Sequence, residues 1–271
     1  ILREYLANVS GSVWGNNKDP VANALALSNA ILLLLNNENE YDNPALGALF
    51  DAGANGQDLL ATEIFPEGSE EYMSSSMRDA SYEEILHFVH GFGIQNALPS
   101  MQNAIVQAMN YSIDNNNYIP LSDLPEEDYD EEYLAMALES YFGIWAHDPE
   151  GDHWAGGHEY RYINRQEMMV GDPQAHNIIK EFFGENWRYN AELPQTFDGE
   201  FSLSYTPDLY YTNRSRYLKN LIVKGDNDVS IIGNDYDNNI GGNQGSNSFT
   251  GKAGNDYFIG GDGVDRAYYT G

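Results

Sequence analysis

Cysteine is absent from this chain of 271 residues, and basic residues are scarce. Without cysteine the chain can form neither disulfide bonds nor a cysteine-ligated zinc site. Its 13 Lys and Arg stand against 42 Asp and Glu, which gives a formal net charge of −29. Such a field repels phosphate backbones and anionic lipid, so we expect no nucleic-acid partner. The same field attracts divalent cations, and it also favours solubility in saline water.

Long apolar segments and an export signal are missing as well. The longest apolar run, 30–35, is far too short to span a bilayer, so no membrane insertion is expected. No signal peptide is visible at the start of the chain, which we expect to be a processed form. A G-x-S-x-G elbow is also absent, which argues against a lipase.

The end of the chain repeats with a period of nine residues. From residue 242 the units read GNQGSNSFT, GKAGNDYFI and GGDGVDRAY, and two less regular units precede them from residue 224. The fourth position is glycine in the last three units. The eighth position is apolar in every unit: Ile231, Ile240, Phe249, Phe258 and Ala267. A disordered Gly/Asn/Asp-rich tail would not keep five apolar positions in phase.

This pattern resembles the RTX nonapeptide G-G-x-G-x-D-x-U-x of bacterial toxins, lipases and proteases. The resemblance implies a calcium-binding parallel β-roll over 219–271, in a secreted or cell-surface bacterial protein. Glycines allow tight turns, Asp supplies hard oxygen ligands, and the apolar position points into the roll. Two units make one turn, so calcium sites lie between units two apart. The open end of the roll is expected either to continue beyond Gly271 or to fray. The expected calcium ligands are Asp256, Asp265, Asp262, Asn238, Asn247, Gly254 and Gly263.

The preceding residues, 1–218, contain no repeat and mix helical with strand-like patterns. Apolar residues at helical spacing predict helices over 20–36, 77–92, 98–113, 130–143 and 174–185. Short apolar runs predict strands near 60–65, 160–163, 201–205 and 208–212. Helices and strands without regular βαβ alternation predict a mainly helical α+β domain.

One predicted helix carries a dense set of metal-binding side chains. Glu83, His87 and His90 are spaced i, i+4 and i+7, so they share one stripe of the helix. Residues 83–87 read E-E-I-L-H, the spacing of H-E-x-x-H with glutamate in place of the first histidine. In that register Glu83 and His87 bind zinc, and His90 extends the ligand stripe. Glu84 is then the general base that acts on a metal-activated water.

A third zinc ligand is expected on a downstream helix. Glu139 lies among apolar and aromatic residues of the run 131–143, where a carboxylate needs a partner. With a closing helix over 172–183, these segments resemble the catalytic domain of lethal-factor-like zincins. The resemblance implies peptide-bond hydrolysis, Glu139 as the third ligand, and a tyrosine, Tyr160 or preferably Tyr162, that polarises the substrate carbonyl. Two carboxylates cancel the charge of Zn²⁺, so a different metal or an inactive site also fits this ligand set.

Structural interpretations of the same residues stay open. Ser81 and Glu84 fit a capping box, in which Glu84 only closes the start of the helix. His87 and His90 also fit ordinary, partly buried histidines. A second histidine-rich segment, 147–159, has the Gly/Asp composition of a loop that rims a pocket, binds an ion or is simply solvated.

The sequence therefore predicts a secreted, calcium-stabilised zinc metallohydrolase that cleaves peptide bonds in an extracellular protein or peptide. A zincin-like domain over 1–218 precedes the β-roll over 219–271. The alternative is a non-enzymatic, calcium-dependent cell-surface or matrix protein that acts in adhesion. A polysaccharide- or ester-cleaving enzyme is a third interpretation. The first two differ in whether Glu83, His87 and Glu139 converge on a metal.

Overall fold

The computed structural model describes residues 1–147 and 159–269, and it mixes helices with strands as an α+β protein does. The chain forms two compact units. The N-terminal unit comprises 1–64 and 79–184, and the C-terminal unit comprises 65–78 and 185–271. Within the described ranges, no helix has both the length and the apolar character needed to cross a membrane.

Helices make up most of the N-terminal unit. Several begin at or next to proline, whose fixed φ and missing N–H suit the first helical turn. A π-helical turn, His90–Ile94, follows α5, and short 3₁₀ turns cover Glu38–Asp42, Ala61–Glu63 and Glu126–Asp128. In chain order the α-helices are α1 Leu2–Tyr5, α2 Asp19–Leu27, α3 Pro44–Asp51, α4 Glu70–Ser74, α5 Ser81–Val89, α6 Gln95–Ala97, α7 Pro99–Asp114, α8 Tyr129–Phe142, α9 Arg165–Gly171, α10 Pro173–Phe183 and α11 Thr212–Ser215.

The strands form short pairs in the N-terminal unit and two longer parallel sheets in the C-terminal unit. β1 pairs with β2 in parallel, and β3 pairs with β4 in antiparallel. In chain order the strands are β1 Ala30–Leu35, β2 Asn55–Leu60, β3 Tyr118–Ile119, β4 Glu159–Tyr160, β5 Trp187–Leu193, β6 Gly199–Ser202, β7 Leu218–Val223, β8 Val229–Ile232, β9 Asn239–Gly241, β10 Ser248–Thr250, β11 Tyr257–Ile259 and β12 Arg266–Tyr268.

Three of the predicted elements are wrong in type. The strand predicted near 60–65 is mostly the 3₁₀ turn Ala61–Glu63, because β2 ends at Leu60. The helix predicted over 20–36 ends at Leu27, and its apolar second half is strand β1. The chain leaves the helix at Asn29, whose φ is +51°, and a short apolar run then pairs with β2. Periodicity cannot separate such a run from a buried helix, because the parallel partner decides. Residues 208–212, predicted as a strand, instead lead into α11.

The core of the N-terminal unit is built around α8. This helix is apolar on nearly all sides and buried from Tyr133 to Phe142, so other elements must surround it. A buried carboxylate ties three of those elements together. Asp172 accepts hydrogen bonds from the hydroxyls of Ser112, Tyr133 (2.8 Å) and Tyr160 (3.1 Å). This network fixes β4 and the start of α10 against α7 and α8.

In the C-terminal unit, successive strands alternate between two parallel four-stranded sheets. One sheet has the order β11-β9-β7-β5 and the other β12-β10-β8-β6. The register between β8, β10 and β12 is 18 residues, which is twice the nine-residue unit of the sequence. The eighth-position residues Ile231, Ile240 and Phe249 are buried between the sheets. Gly254 and Gly263 have φ of +99° and +92°, a conformation that other residues rarely adopt.

The division into units differs from the predicted boundary at 218/219. β5 and β6 precede that boundary, yet each pairs with a strand of the C-terminal sheets. Ala191 lies opposite Leu221, and Phe201 lies opposite Ile231, so both sheets begin before the repeat is visible in the sequence. The connection between β6 and β7 does not follow the nine-residue period, so the repeat cannot be recognised there in the sequence.

Candidate metal centre

Helix α5 presents two of the predicted metal ligands from a buried position. Its apolar residues pack inward, and Glu83 and His87 are themselves only 7% and 9% exposed. The Ser81 hydroxyl and backbone N–H both donate to the Asp79 carboxylate, at 2.5 and 2.9 Å. The predicted capping box is therefore wrong, since no side-chain cap is made at the start of α5. Glu84 therefore does not cap the helix.

A three-residue group forms where α5 meets α8. Glu83, His87 and Glu132 each offer one ligand atom, and these atoms all lie within 4.8 Å of one another. The Nε2 of His87 lies 3.8 Å from Oε1 of Glu132. Two ligands of a tetrahedral zinc ion with bonds of about 2.0 Å lie about 3.3 Å apart. A shift of about half an ångström would bring this pair to that separation.

The other ring nitrogen of His87 faces a different carboxylate. Its Nδ1 lies 3.8 Å from Oε2 of Glu84, and that oxygen accepts a 2.6 Å hydrogen bond from Nε2 of Gln57. Gln57 lies on β2, so the strand holds Glu84 beside the ring. When the ring is neutral, a carboxylate at Nδ1 favours the tautomer with Nε2 unprotonated, as in metal-binding histidines. In the described part of the chain, the buried Nε2 of His87 has no hydrogen-bond partner.

Carboxylates create a strongly negative potential at this site. Burial by itself lowers the pKa of His87, but the surrounding carboxylates outweigh burial and raise the pKa to about 9. Burial and neighbouring acids raise the pKa of Glu131 to about 7, and they raise that of Glu132 in the same direction. Burial and like-charged neighbours disfavour the ionised form of these carboxylates, and His87 offsets only part of this effect. The carboxylates around His87 are Glu84, Glu132, Glu83 and Glu131.

Glu139, the expected third ligand, does not belong to this group, and Glu132 stands in its place. The two residues are seven positions apart on α8, so they share a face but are separated by about 10 Å along the axis. Glu139 is fully buried near Tyr5, where its charge adds to the burial that raises the pKa of that hydroxyl. Helical periodicity alone could not show whether Glu132 or Glu139 is the third member of the group. The acidic first turn of α8 was the available signal.

His90 is also outside the group, because its side chain is directed to α7. Its Nε2 lies 2.8 Å from Oε1 of Gln102, and Nε2 of Gln102 donates to Asp130 in the first turn of α8. The π-helical turn that starts at His90 widens the helix there and interrupts the predicted stripe. Gln102 therefore links the end of α5 to the start of α8, which carries Glu132.

We expect Gln102→Ala to destabilise the N-terminal unit by about 1–3 kcal/mol, since it leaves buried polar groups of His90 and Asp130 without a partner. Urea unfolding of the variant would measure this loss. Gln107→Ala is the matched control, because Gln107 is an exposed residue of the same helix and the same substitution there should cost less than about 0.5 kcal/mol. Equal losses in the two variants would show that the bridge is unimportant.

Tyr162, the predicted carbonyl-polarising residue, lies away from the group. Its hydroxyl donates to Oδ1 of Asn117 at 2.9 Å, and it lines an open cleft of about 730 Å³ with Arg161, Gln166 and Val170 among its neighbours. None of the residues that line this cleft is a member of the metal-binding group. The cleft is therefore a separate feature of the surface.

Tyr118 on β3 is a tyrosine that sequence reasoning missed. It is 2% exposed, and its buried hydroxyl has no hydrogen-bond partner among the described residues. Burial raises the pKa of Tyr118 far above its ordinary value, and Glu132 is the largest of the charges that add to this effect. Glu132 of the metal-binding group therefore acts electrostatically on this hydroxyl, which is able to donate. A lone tyrosine in the run 117–119 gave no sequence signal.

The second histidine-rich segment is mostly outside the described residues. Positions 148–158 are not described, so the expectation that this segment binds an ion or rims a pocket stays a prediction.

The residues predicted to bind calcium fall into three groups in the C-terminal unit. Asp256 and Asp265 each accept a backbone hydrogen bond from the residue 18 positions earlier, at 3.0 and 2.8 Å. Asn238 and Asn247 are buried and donate through their side-chain amides. Gly254, Gly263 and Asp262 are exposed residues of the turns.

Known proteins give no independent assignment for either the metal-binding group or the parallel sheets. Comparisons of the chain with protein-family models, with curated proteins and with solved structures found no match.

Proposed function

We propose that the protein is a zinc-dependent hydrolase that cleaves peptide bonds outside the cell. The observation that carries the proposal is the convergence of Glu83, His87 and Glu132, with a buried imidazole nitrogen that has no partner among the described residues. One imidazole and two carboxylates are ligands that zinc accepts. Three protein ligands leave a fourth position for water or substrate, the feature that separates catalytic from structural zinc sites.

Each residue of the site has a distinct task in this proposal. Zinc held by Glu83, His87 and Glu132 would polarise the scissile carbonyl and lower the pKa of a bound water. Glu84 orients His87 through Nδ1, and it accepts the proton of the attacking water as the sequence motif suggests. Its side chain is a quarter exposed, so water can reach it. The Tyr118 hydroxyl, rather than that of Tyr162, donates to an oxygen of the substrate.

We further propose that the two parallel sheets form a β-roll of the RTX type that binds calcium. The 18-residue register and the buried apolar positions support the roll. The Asp256 and Asp265 carboxylates support calcium binding, because calcium prefers hard oxygen ligands. The buried Oδ1 of Asn247 has no partner in the described part of the chain, and its amide group lies 3.3 Å from Asp265. Calcium outside the cell would stabilise this unit after export.

The activity is tested with zinc-loaded protein and a random-sequence peptide library, in which new amino termini are counted by mass spectrometry. We expect cleavage by the native chain that disappears on chelation. We expect Glu84→Gln to lower kcat by about 100-fold or more, within the usual contribution of general acid–base catalysis.

Two tyrosine variants test the role of Tyr118, with Tyr162→Phe as the matched control. Tyr118→Phe removes only the unpartnered hydroxyl and should lower kcat with little change in KM. Tyr162→Phe removes a hydroxyl bonded to Asn117 and should leave the rate unchanged. A chain that holds one zinc ion and cleaves no peptide would contradict the peptidase proposal, and it would favour a binding role for the protein.

A further inference from the structure

Four buried asparagines occupy equivalent positions in two successive nine-residue units. Asn234 and Asn238 are the second and sixth residues of unit 233–241, and Asn243 and Asn247 are those of unit 242–250. All four are less than 8% exposed. The sixth position is where the RTX pattern has the aspartate that binds calcium. In the next two units it is aspartate, as Asp256 and Asp265.

The two asparagine pairs make the same internal hydrogen bonds. In each pair the amide of the sixth residue donates to Oδ1 of the second, at 2.8 Å for Asn238 and 2.9 Å for Asn247. The same Oδ1 accepts the backbone N–H two residues further on, from Tyr236 at 3.1 Å and Gly245 at 2.9 Å. The repetition shows that the arrangement belongs to the repeat and is not a local accident.

The asparagine at the second position of each unit, Asn234 or Asn243, also forms hydrogen bonds to the preceding layer of the sheets. Nδ2 of Asn234 donates to the carbonyl oxygens of Arg216 and Leu218, at 3.0 and 2.8 Å. The equivalent Nδ2 of Asn243 donates to two carbonyl oxygens as well, those of Lys224 and Asn227 at 3.2 and 3.0 Å. Each of these NH₂ groups thus uses both of its hydrogens on backbone oxygens.

Converging carbonyl oxygens need either a cation or hydrogen-bond donors between them. An aspartate at these positions would add another acceptor to the group, and a calcium ion would be required to hold the oxygens together. The asparagine amide supplies the donors itself and carries no charge. The interface between the layer 216–232 and the layer 233–250, which we name the first interface, is closed in this way. The second interface, between 233–250 and 251–268, carries Asp256 and Asp265 instead.

We infer that the first interface is closed by asparagine amides in place of cations, so that it forms and persists without calcium. The calcium requirement, which rests on the proposed function, is then confined to the second interface. The amide-closed layers provide an ordered sheet edge, and the calcium-dependent strands β11 and β12 add to it.

Hydrogen–deuterium exchange of the whole chain, with and without EDTA, tests this inference. In EDTA we expect the amides of β7 to β10 to keep their protection to within about threefold of the calcium-loaded protein. The amides of β11 and β12 should exchange at least tenfold faster. Equal loss of protection in β7–β10 and in β11–β12 would overturn the inference, because ions would then hold the first interface too.

A pair of isosteric variants locates the effect. Asn234→Asp converts the donor into an acceptor that faces two carbonyl oxygens, and we expect at least tenfold faster exchange of β7–β10 in EDTA. Asn239→Asp is the matched control, because Asn239 is an exposed residue of the same unit. If the two variants behave alike, the amides do not close the interface. If Asn234→Asp fails to fold, the native chain in EDTA still decides the question. Protection of the native chain that is unchanged everywhere would support the inference and contradict the proposed calcium site.

Discussion

Glu132→Gln should lower the affinity of the protein for zinc by more than about 100-fold. Loss of a residue that only orients a ligand costs about 10–100-fold, and a direct ligand should cost more. The substitution keeps the size of the side chain and removes the charge that faces His87 Nε2 at 3.8 Å. Competition with a chromogenic zinc chelator would measure the two dissociation constants.

Glu131→Gln is the control for this prediction. Glu131 is the adjacent residue of α8 and contributes to the same negative potential, but it is not a member of the metal-binding group. Its loss should weaken zinc binding by less than about tenfold, since a neighbouring carboxylate and not a ligand is removed. Equal effects of the two substitutions would mean that zinc responds to the general acidity of the surface and not to a ligand at Glu132.

Phe249→Ala should destabilise the C-terminal unit by about 3–5 kcal/mol, because it opens a cavity between the two sheets. Phe249 is 1% exposed and stacks on Phe258 with ring centroids 5.3 Å apart. It also lies in register with Ile231 of the neighbouring strand. Since whole domains are stable by only about 5–15 kcal/mol, this is a large fraction of the total. Urea unfolding of the calcium-loaded chain, monitored by hydrogen exchange of the amides in β8 and β10, would measure this loss of stability.

Tyr257→Ala removes an aromatic ring from the same sheets and serves as the comparison. Tyr257 is 62% exposed, so its loss should change stability by about 0.5 kcal/mol or less. A small effect of Phe249→Ala, close to that of Tyr257→Ala, would show that the apolar positions do not form the core of this unit.

The parts of the fold that the sequence predicted correctly have strong local periodicity. Helices over 98–113, 130–143 and 174–185 match α7, α8 and α10 closely. Short apolar runs failed, because pairing with a distant strand decides their conformation. The run 30–35 became β1 only through its partner β2, which lies 25 residues further along the chain. The sheets of the C-terminal unit likewise extend to β5, where the sequence shows no nine-residue repeat.

The candidate site shows the same division between local and distant information. Glu83 and His87 lie one helical turn apart, so their proximity follows from the sequence spacing alone. Glu132 could not be identified this way, since its position depends on how α8 packs against α5. The preference for Glu139 followed its apolar neighbours, which mark burial but not distance from His87. Tyr118 and Gln102 depend wholly on tertiary packing.

The calcium positions illustrate a different limit. Asparagine at the sixth position could be interpreted as a weaker oxygen ligand of the same ion. In the structure the side-chain nitrogens of Asn238 and Asn247 donate to Asn234 and Asn243. Asn234 and Asn243 in turn donate to carbonyl oxygens of the preceding layer. Sequence alone cannot tell which end of an amide faces inward.

X-ray absorption spectroscopy of the zinc-loaded chain would show whether Glu83, His87 and Glu132 hold zinc. We expect one zinc ion per chain with nitrogen and oxygen neighbours at about 2.0–2.1 Å and the signature of a single imidazole. Retention of no zinc after dialysis, or a shell with two or more imidazoles, would contradict a centre built from Glu83, His87 and Glu132.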